Sequence, residues 1–103
     1  MTATDGPEIT YDNLTGRCWF RLDRLVELAG LLQERIPDAR DFRIWYDEAE
    51  DHHRLRFTAG GRTLTVRYYK VFAIDEDATL RTWDNFPDLL YAVWRLLEAP
   101  ESL

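Results

Sequence analysis

Side chains able to do acid–base, metal or electrostatic work concentrate in two short segments, YDEAEDHHR from Tyr46 to Arg54 and IDEDATL from Ile74 to Leu80. Asp47, Glu48, Glu50 and Asp51 in the first, with Asp75, Glu76 and Asp77 in the second, put seven carboxylates into turns. Such runs can hold a divalent cation, meet a basic partner, or simply solvate a loop. The spacing of Asp75, Asp77 and Thr79 is that of a calcium loop. The glycine and glutamate that such a loop needs further on are missing.

His52-His53 has metal-ligating chemistry, but neighbours on a strand point to opposite faces. The pair would chelate one ion only from a loop, with Asp51. Cys18 is the sole cysteine, which excludes an internal disulfide and a thiol-rich zinc site. No orienting group or oxyanion motif accompanies it as a nucleophile. The chain has no Walker pattern, no Gly-rich phosphate loop and no G-x-S-x-G. The expectation is a protein that is not an enzyme, with no catalytic residue, no metal and no cofactor.

The elements that must position these side chains follow from periodicity. Leu22, Leu25, Val26, Ala29, Leu32 and Ile36 recur at helical steps from Asp23 to about Arg35, with Asp23 as a candidate N-cap and Pro37 as the stop. Cys18, Trp19 and Phe20 read as an extended lead-in. Phe42 to Tyr46, Arg54 to Thr58 and Arg62 to Ile74 alternate with period two, and Gly60-Gly61 is a hairpin turn. Lys70 breaks the apolar phase of the third run, which predicts a bulge or bend near Tyr69-Lys70. A short fourth strand spans Leu80 to Trp83. A second helix starts near Asp84 or Asn85 and stops before Pro100. Its stripe of Phe86, Leu90, Val93, Trp94 and Leu97, with Leu89, Tyr91, Ala92 and Leu96 beside it, predicts burial on more than one side, or else a dimer or partner contact.

The fold class expected is α+β: an antiparallel three- to four-stranded β-meander with two α-helices, N- and C-terminal, packed on one face. Residues 1–103 form one domain, with residues 1–8 as a frayed start. Alternate turns of a meander lie at the same end, so the two acidic loops are expected side by side, away from Gly60-Gly61. Ile44, Leu55, Phe57, Leu64 and Val66 should face the helices. Arg43, Trp45, Arg54, Arg56, Thr58, Thr63, Thr65, Arg67 and Tyr69 are left on an open, basic and aromatic face. Arginine interleaved with aromatic rings suits binding. The plainer reading is an open sheet face solvated by arginines that pair with nearby acids.

The chain has 103 residues, a net charge of -6, 46% hydrophobic and 14% aromatic side chains. That is a folding composition, and its charge opposes generic attraction to phosphate or anionic lipid. No apolar run approaches a membrane span, and a cytoplasmic location is expected. In size and charge the chain resembles small acidic proteins of phages and mobile elements, including anti-CRISPR inhibitors and toxin-immunity proteins. That likeness is one of composition alone; the leading expectation, from the clustered carboxylates and the charge, is a non-enzymatic protein-binding module of the inhibitor, immunity or adaptor type docking its acidic edge on a basic protein surface, such as that of a nucleic-acid-binding protein. The alternative is nucleic-acid binding through Arg43, Arg54, Arg56 and Arg67, with Trp45 and Tyr69 as stacking platforms. Its helix, three strands, helix order is similar to that of double-stranded RNA-binding domains. Where that family carries basic residues at the start of its second helix, this chain has Asp84 and Asp88. No membrane partner is expected, and a homodimer through the C-terminal helix is a further partner expectation.

Overall fold

Gly60 and Gly61 both adopt positive φ, 59° and 76°, the conformation a two-residue hairpin turn requires and side-chain-bearing residues resist. This turn pairs strand β3 (His52–Ala59) with β4 (Arg62–Tyr68) in the register Ala59↔Arg62 through His53↔Tyr68. The computed structural model describes residues 8–12 and 19–98, with the backbone alone at 19–21. Cys18 and residues 1–7 of the expected frayed start therefore lie outside the described residues.

Around that hairpin the chain builds an α+β fold, a six-stranded, mostly antiparallel sheet in the order β1-β2-β3-β4-β5-β6 with helices α1 and α2 packed against one face. Strands β1 (Ile9–Asp12) and β2 (Arg40–Asp47) are parallel neighbours joined through α1 (Trp19–Arg35). The expected meander has no such strand. ITYD is β-prone but four residues long, and its hydrogen bonds come from β2, some thirty residues on, so local pattern could not reveal it. The first strand therefore precedes the helix, and the order seen in double-stranded RNA-binding domains does not hold.

Helix α1 begins at Trp19, a turn earlier than expected, and Asp23 is an exposed interior residue rather than its cap. Leu22 is buried at the same spacing from Leu25 as Leu25 is from Leu28, which draws the preceding turn into the helix. Pro37 follows the end as expected. Helix α2 (Phe86–Glu98) starts after Asn85, whose Oδ1 accepts from the Asp88 N–H at 2.9 Å while its Nδ2 donates to Asp88 at 3.1 Å. The first bond caps an otherwise unpaired N–H of the helix start, and the second ties the capping side chain to Asp88.

The third expected strand, Arg62 to Ile74, is two strands. It turns back at Tyr69–Val71, and β5 (Phe72–Ile74) pairs antiparallel with β4 through Val66↔Ile74 and Tyr68↔Phe72. The break falls where the bend was expected, but it is a full reversal. Lys70 would carry its charge into the helix-side phase if the strand ran on, whereas folding back lets Phe72 and Ile74 rejoin the core beside Tyr68 and Val66. Strand β6 (Thr82–Trp83) closes the sheet.

The core lies between sheet and helices. Ile44, Leu55, Phe57, Leu64 and Val66 are all buried on the helix side, with Leu25, Leu28, Leu32, Leu89 and Val93 above them. Phe42 stacks on Phe57 at 5.9 Å.

Candidate functional site

Strand parity sends Arg43, Trp45, Arg54, Arg56, Thr58, Thr63, Thr65 and Arg67 to the face away from the helices, as expected. Register then creates an electrostatic difficulty that a single strand cannot reveal. Arg43 lies directly opposite Arg56, and Arg54 directly opposite Arg67. Like charges facing each other across a sheet are destabilising.

Each pair is relieved differently. Between Arg54 and Arg67 stands Asp75, with Oδ2 3.0 Å from Arg54 and Oδ1 2.6 Å from Arg67. The Arg67 Nε contact lacks hydrogen-bond alignment, so it acts as a charge contact. Asp47 approaches Arg54 from the other side at 3.2 Å. For the other pair, Asp12 on β1 holds Arg43 at 2.6 Å. Arg43 and Arg56 each stand 5.7 Å from the ring of Trp45, so one indole meets both guanidiniums in cation–π contact. Arg56 has no ion pair among the described residues. The face is thus a network of fixed, alternating charge with a half-buried tryptophan in it, rather than a basic surface.

The acidic loops do not sit side by side. The reversal at Tyr69–Val71 adds a turn, so the β5–β6 loop leaves toward the Gly60-Gly61 end while Asp47–Asp51 stays at the other. Asp75 continues β5 beside Thr65, whose carbonyl accepts its N–H at 2.9 Å. Asp47 and Asp75 meet only through the length of Arg54 between them. The remaining carboxylates divide by task. Asp47 Oδ1 caps the turn by accepting from Ala49 and Glu50 N–H. The Tyr46 hydroxyl donates to Asp51 at 2.6 Å, Asp51 itself adopting a φ of 57°. Glu76 accepts from Thr65 N–H at 2.9 Å. Glu48 and Glu50 stand exposed with no ion pair among the described residues.

Asp77 is buried and closes the β5–β6 loop on itself, accepting from the Thr79 hydroxyl at 2.6 Å and N–H at 3.0 Å, with Arg81 at 3.3 Å. Those contacts hold its carboxyl below the ordinary value of 3.8, the Thr79 hydroxyl first, while burial pulls the other way. A carboxyl depressed by folding contributes stability above its unfolded value, and that contribution is lost as pH falls through the folded one. Asp77→Asn should therefore be less stable than wild type near neutral pH, with the gap closing below about pH 4. Urea titrations across that range check it, and a gap constant with pH would refute the assignment. The Asp75, Asp77, Thr79 spacing is here a self-capped turn.

His53 is buried against Tyr46 at 5.3 Å on the helix side, and His52 lies on the open face edge-on to Tyr69 at 5.8 Å. They diverge as strand neighbours must. Among the described residues no group of three or more His, Cys, Asp or Glu side chains is placed to hold a metal ion. No helix among them is long and apolar enough to cross a membrane. Tyr69 sits in the β4–β5 turn with Lys70 at 5.7 Å from its ring.

A second surface lies on α2, where the sequence left a dimer or partner contact open as the alternative to full burial. Tyr91 and Trp94 on α2 are 59% and 48% exposed, although Trp94 fits the buried stripe by spacing. The only earlier signal was that α2 has more apolar positions than one face can bury. Comparison of the chain with protein-family models, curated proteins and solved structures finds no match. The functional reading therefore rests on geometry.

Proposed function

We propose that the protein is a non-enzymatic protein-binding module of the inhibitor or immunity type, which meets a basic protein surface with its open sheet face and the adjoining β2–β3 turn. The observation that carries this reading is the cross-braced network on a sheet face that no described element covers. Trp45 against two guanidiniums, and Arg54 against two carboxylates, are held before any partner arrives. Preorganised arginine and tryptophan lose little freedom on binding, the property of interface hot spots.

Charge selects the partner class. Three of the four arginines on this face already have carboxylates, so a phosphate backbone would meet Asp12, Asp47 and Asp75 as well as the cations. Exposed Glu48 and Glu50, with a net charge of -6 behind them, favour a basic protein such as one whose own site binds nucleic acid.

Affinity capture followed by cross-linking should retain a basic protein, with contacts mapping to β2, β3 and their turn. Trp45→Ala with Arg56→Ala, and separately Glu48→Gln with Glu50→Gln, should each weaken retention about tenfold, or about 1.4 kcal/mol. Unchanged retention in both variants overturns the proposal. A salt-sensitive mobility shift with nucleic acid, abolished by Arg56→Ala and Arg67→Ala, would replace it with the nucleic-acid reading.

A further inference from the structure

The two helices pack on the same sheet face, yet their outer surfaces differ. That of α1 is polar, with Asp23, Glu27, Gln33, Glu34 and Arg35 exposed. That of α2 carries Tyr91 and Trp94, their rings 6.0 Å apart, between two open concavities. One, of about 580 Å³, lies against Arg81, Trp83 and Arg95; the other, of about 330 Å³, against Arg35, Ile36, Pro87 and Leu90. Large exposed aromatic rings flanked by concave surface mark a contact site.

We propose that α2 is a self-association surface on which two copies of this chain pair as antiparallel helices, about a twofold axis passing near Tyr91 and Ala92. A twofold interface must be complementary to itself, and α2 is. Asp88 and Arg95 are both exposed and lie two helical turns apart on one flank. They are equidistant from that axis, so each Asp88 meets Arg95 of the second copy, twice over. Trp94 lies on the opposite flank, and the same axis lays its ring over the Pro87 to Leu90 side of the second copy's concavity. Like-charge contact is avoided in this register, because the axis sets each end of the charged flank against the opposite end of the same flank.

The helix runs about 20 Å, and with its flanking concavities it offers an interface near the lower size limit of specific contacts, about 1,000 Å² in total. The dimer therefore exchanges with monomer on dilution. Because α2 lies on the sheet side opposite Trp45 and Arg56, pairing leaves two sheet faces turned outward. The dimer does not depend on the partner reading given for that face.

Sedimentation equilibrium across a dilution series into the high micromolar range tests this. Wild type should approach twice the chain mass. Trp94→Lys should weaken association at least about thirtyfold, the scale of an aromatic hot spot, with an unchanged circular dichroism spectrum. Arg95→Glu, which sets like charges together, should also give monomer. Adding Asp88→Lys to Arg95→Glu should restore the dimer, a rescue no loss of folding can imitate. A wild type that stays monomeric overturns the proposal. So does a dimer indifferent to Trp94→Lys and Arg95→Glu, or a Trp94 surface occupied by a different protein or by another part of the same chain.

Discussion

Phe57→Ala should cost about 3–5 kcal/mol of folding stability, the range for emptying a buried aromatic site. Phe57 is fully buried toward the end of β3, opposite Leu64 and stacked on Phe42 at 5.9 Å. β3 is an interior strand of the sheet, and Phe57 lies beneath α1, so neighbours on several elements would have to move to fill the void. A domain of this size has about 5–15 kcal/mol in total, so the loss is a large share of it. Urea unfolding should show a lower midpoint at unchanged slope. Arg56→Ala, one residue away but exposed, should stay within about 0.5 kcal/mol. A Phe57→Ala loss below about 1 kcal/mol would mean that the Phe42–Phe57 stack does not organise the core.

Asp75→Ala should be the most damaging change on the open face, at about 2 kcal/mol. Removing one partner of a fully buried ion pair costs about 3–5 kcal/mol. Here Asp75 and Arg67 are each 30% exposed and Arg54 17%, so solvent recovers part of that. Without Asp75, the opposed Arg54 and Arg67 face each other with only Asp47 on the far side of Arg54. The origin of the penalty can be tested directly. Arg67→Met in the Asp75→Ala background should recover about half the loss, because it removes the like-charge contact as well as the orphaned cation. High salt should narrow the gap between wild type and Asp75→Ala. No recovery in the double variant would assign the cost to the loop backbone, where the Asp75 N–H bonds Thr65.

Both predictions turn on the same distinction between local and non-local information. Gly60-Gly61, the alternating faces of β2, β3 and β4, and the burial of Ile44, Leu55, Phe57, Leu64 and Val66 were legible in the chain. So was the divergence of His52 and His53. Each follows from the side-chain period or from a backbone angle that only certain residues adopt. The placement of Asp75 was not legible. A bend at Lys70 was visible, but whether it was a kink or a reversal depended on whether Phe72 could find Tyr68 and Phe86 as neighbours, at 4.5 and 5.5 Å. That one reversal moved the second acidic loop to the other end of the sheet. It turned Asp75 from part of an acidic edge into the brace of two arginines.

The sequence by itself determined the α+β class, the two helices, the hairpin at Gly60-Gly61 and the side of the sheet on which each residue of β2, β3 and β4 stands. These are properties of a few neighbouring residues. Tertiary structure alone decided that Ile9–Asp12 joins β2 as a parallel strand, that Arg43 meets Arg56 and Arg54 meets Arg67, which carboxylate answers them, and that Tyr91 and Trp94 remain outside the core. Those outcomes depend on register and on how much apolar surface the sheet can cover. Both are settled by contacts between segments far apart in the chain, where the periodicity of any one segment carries no information.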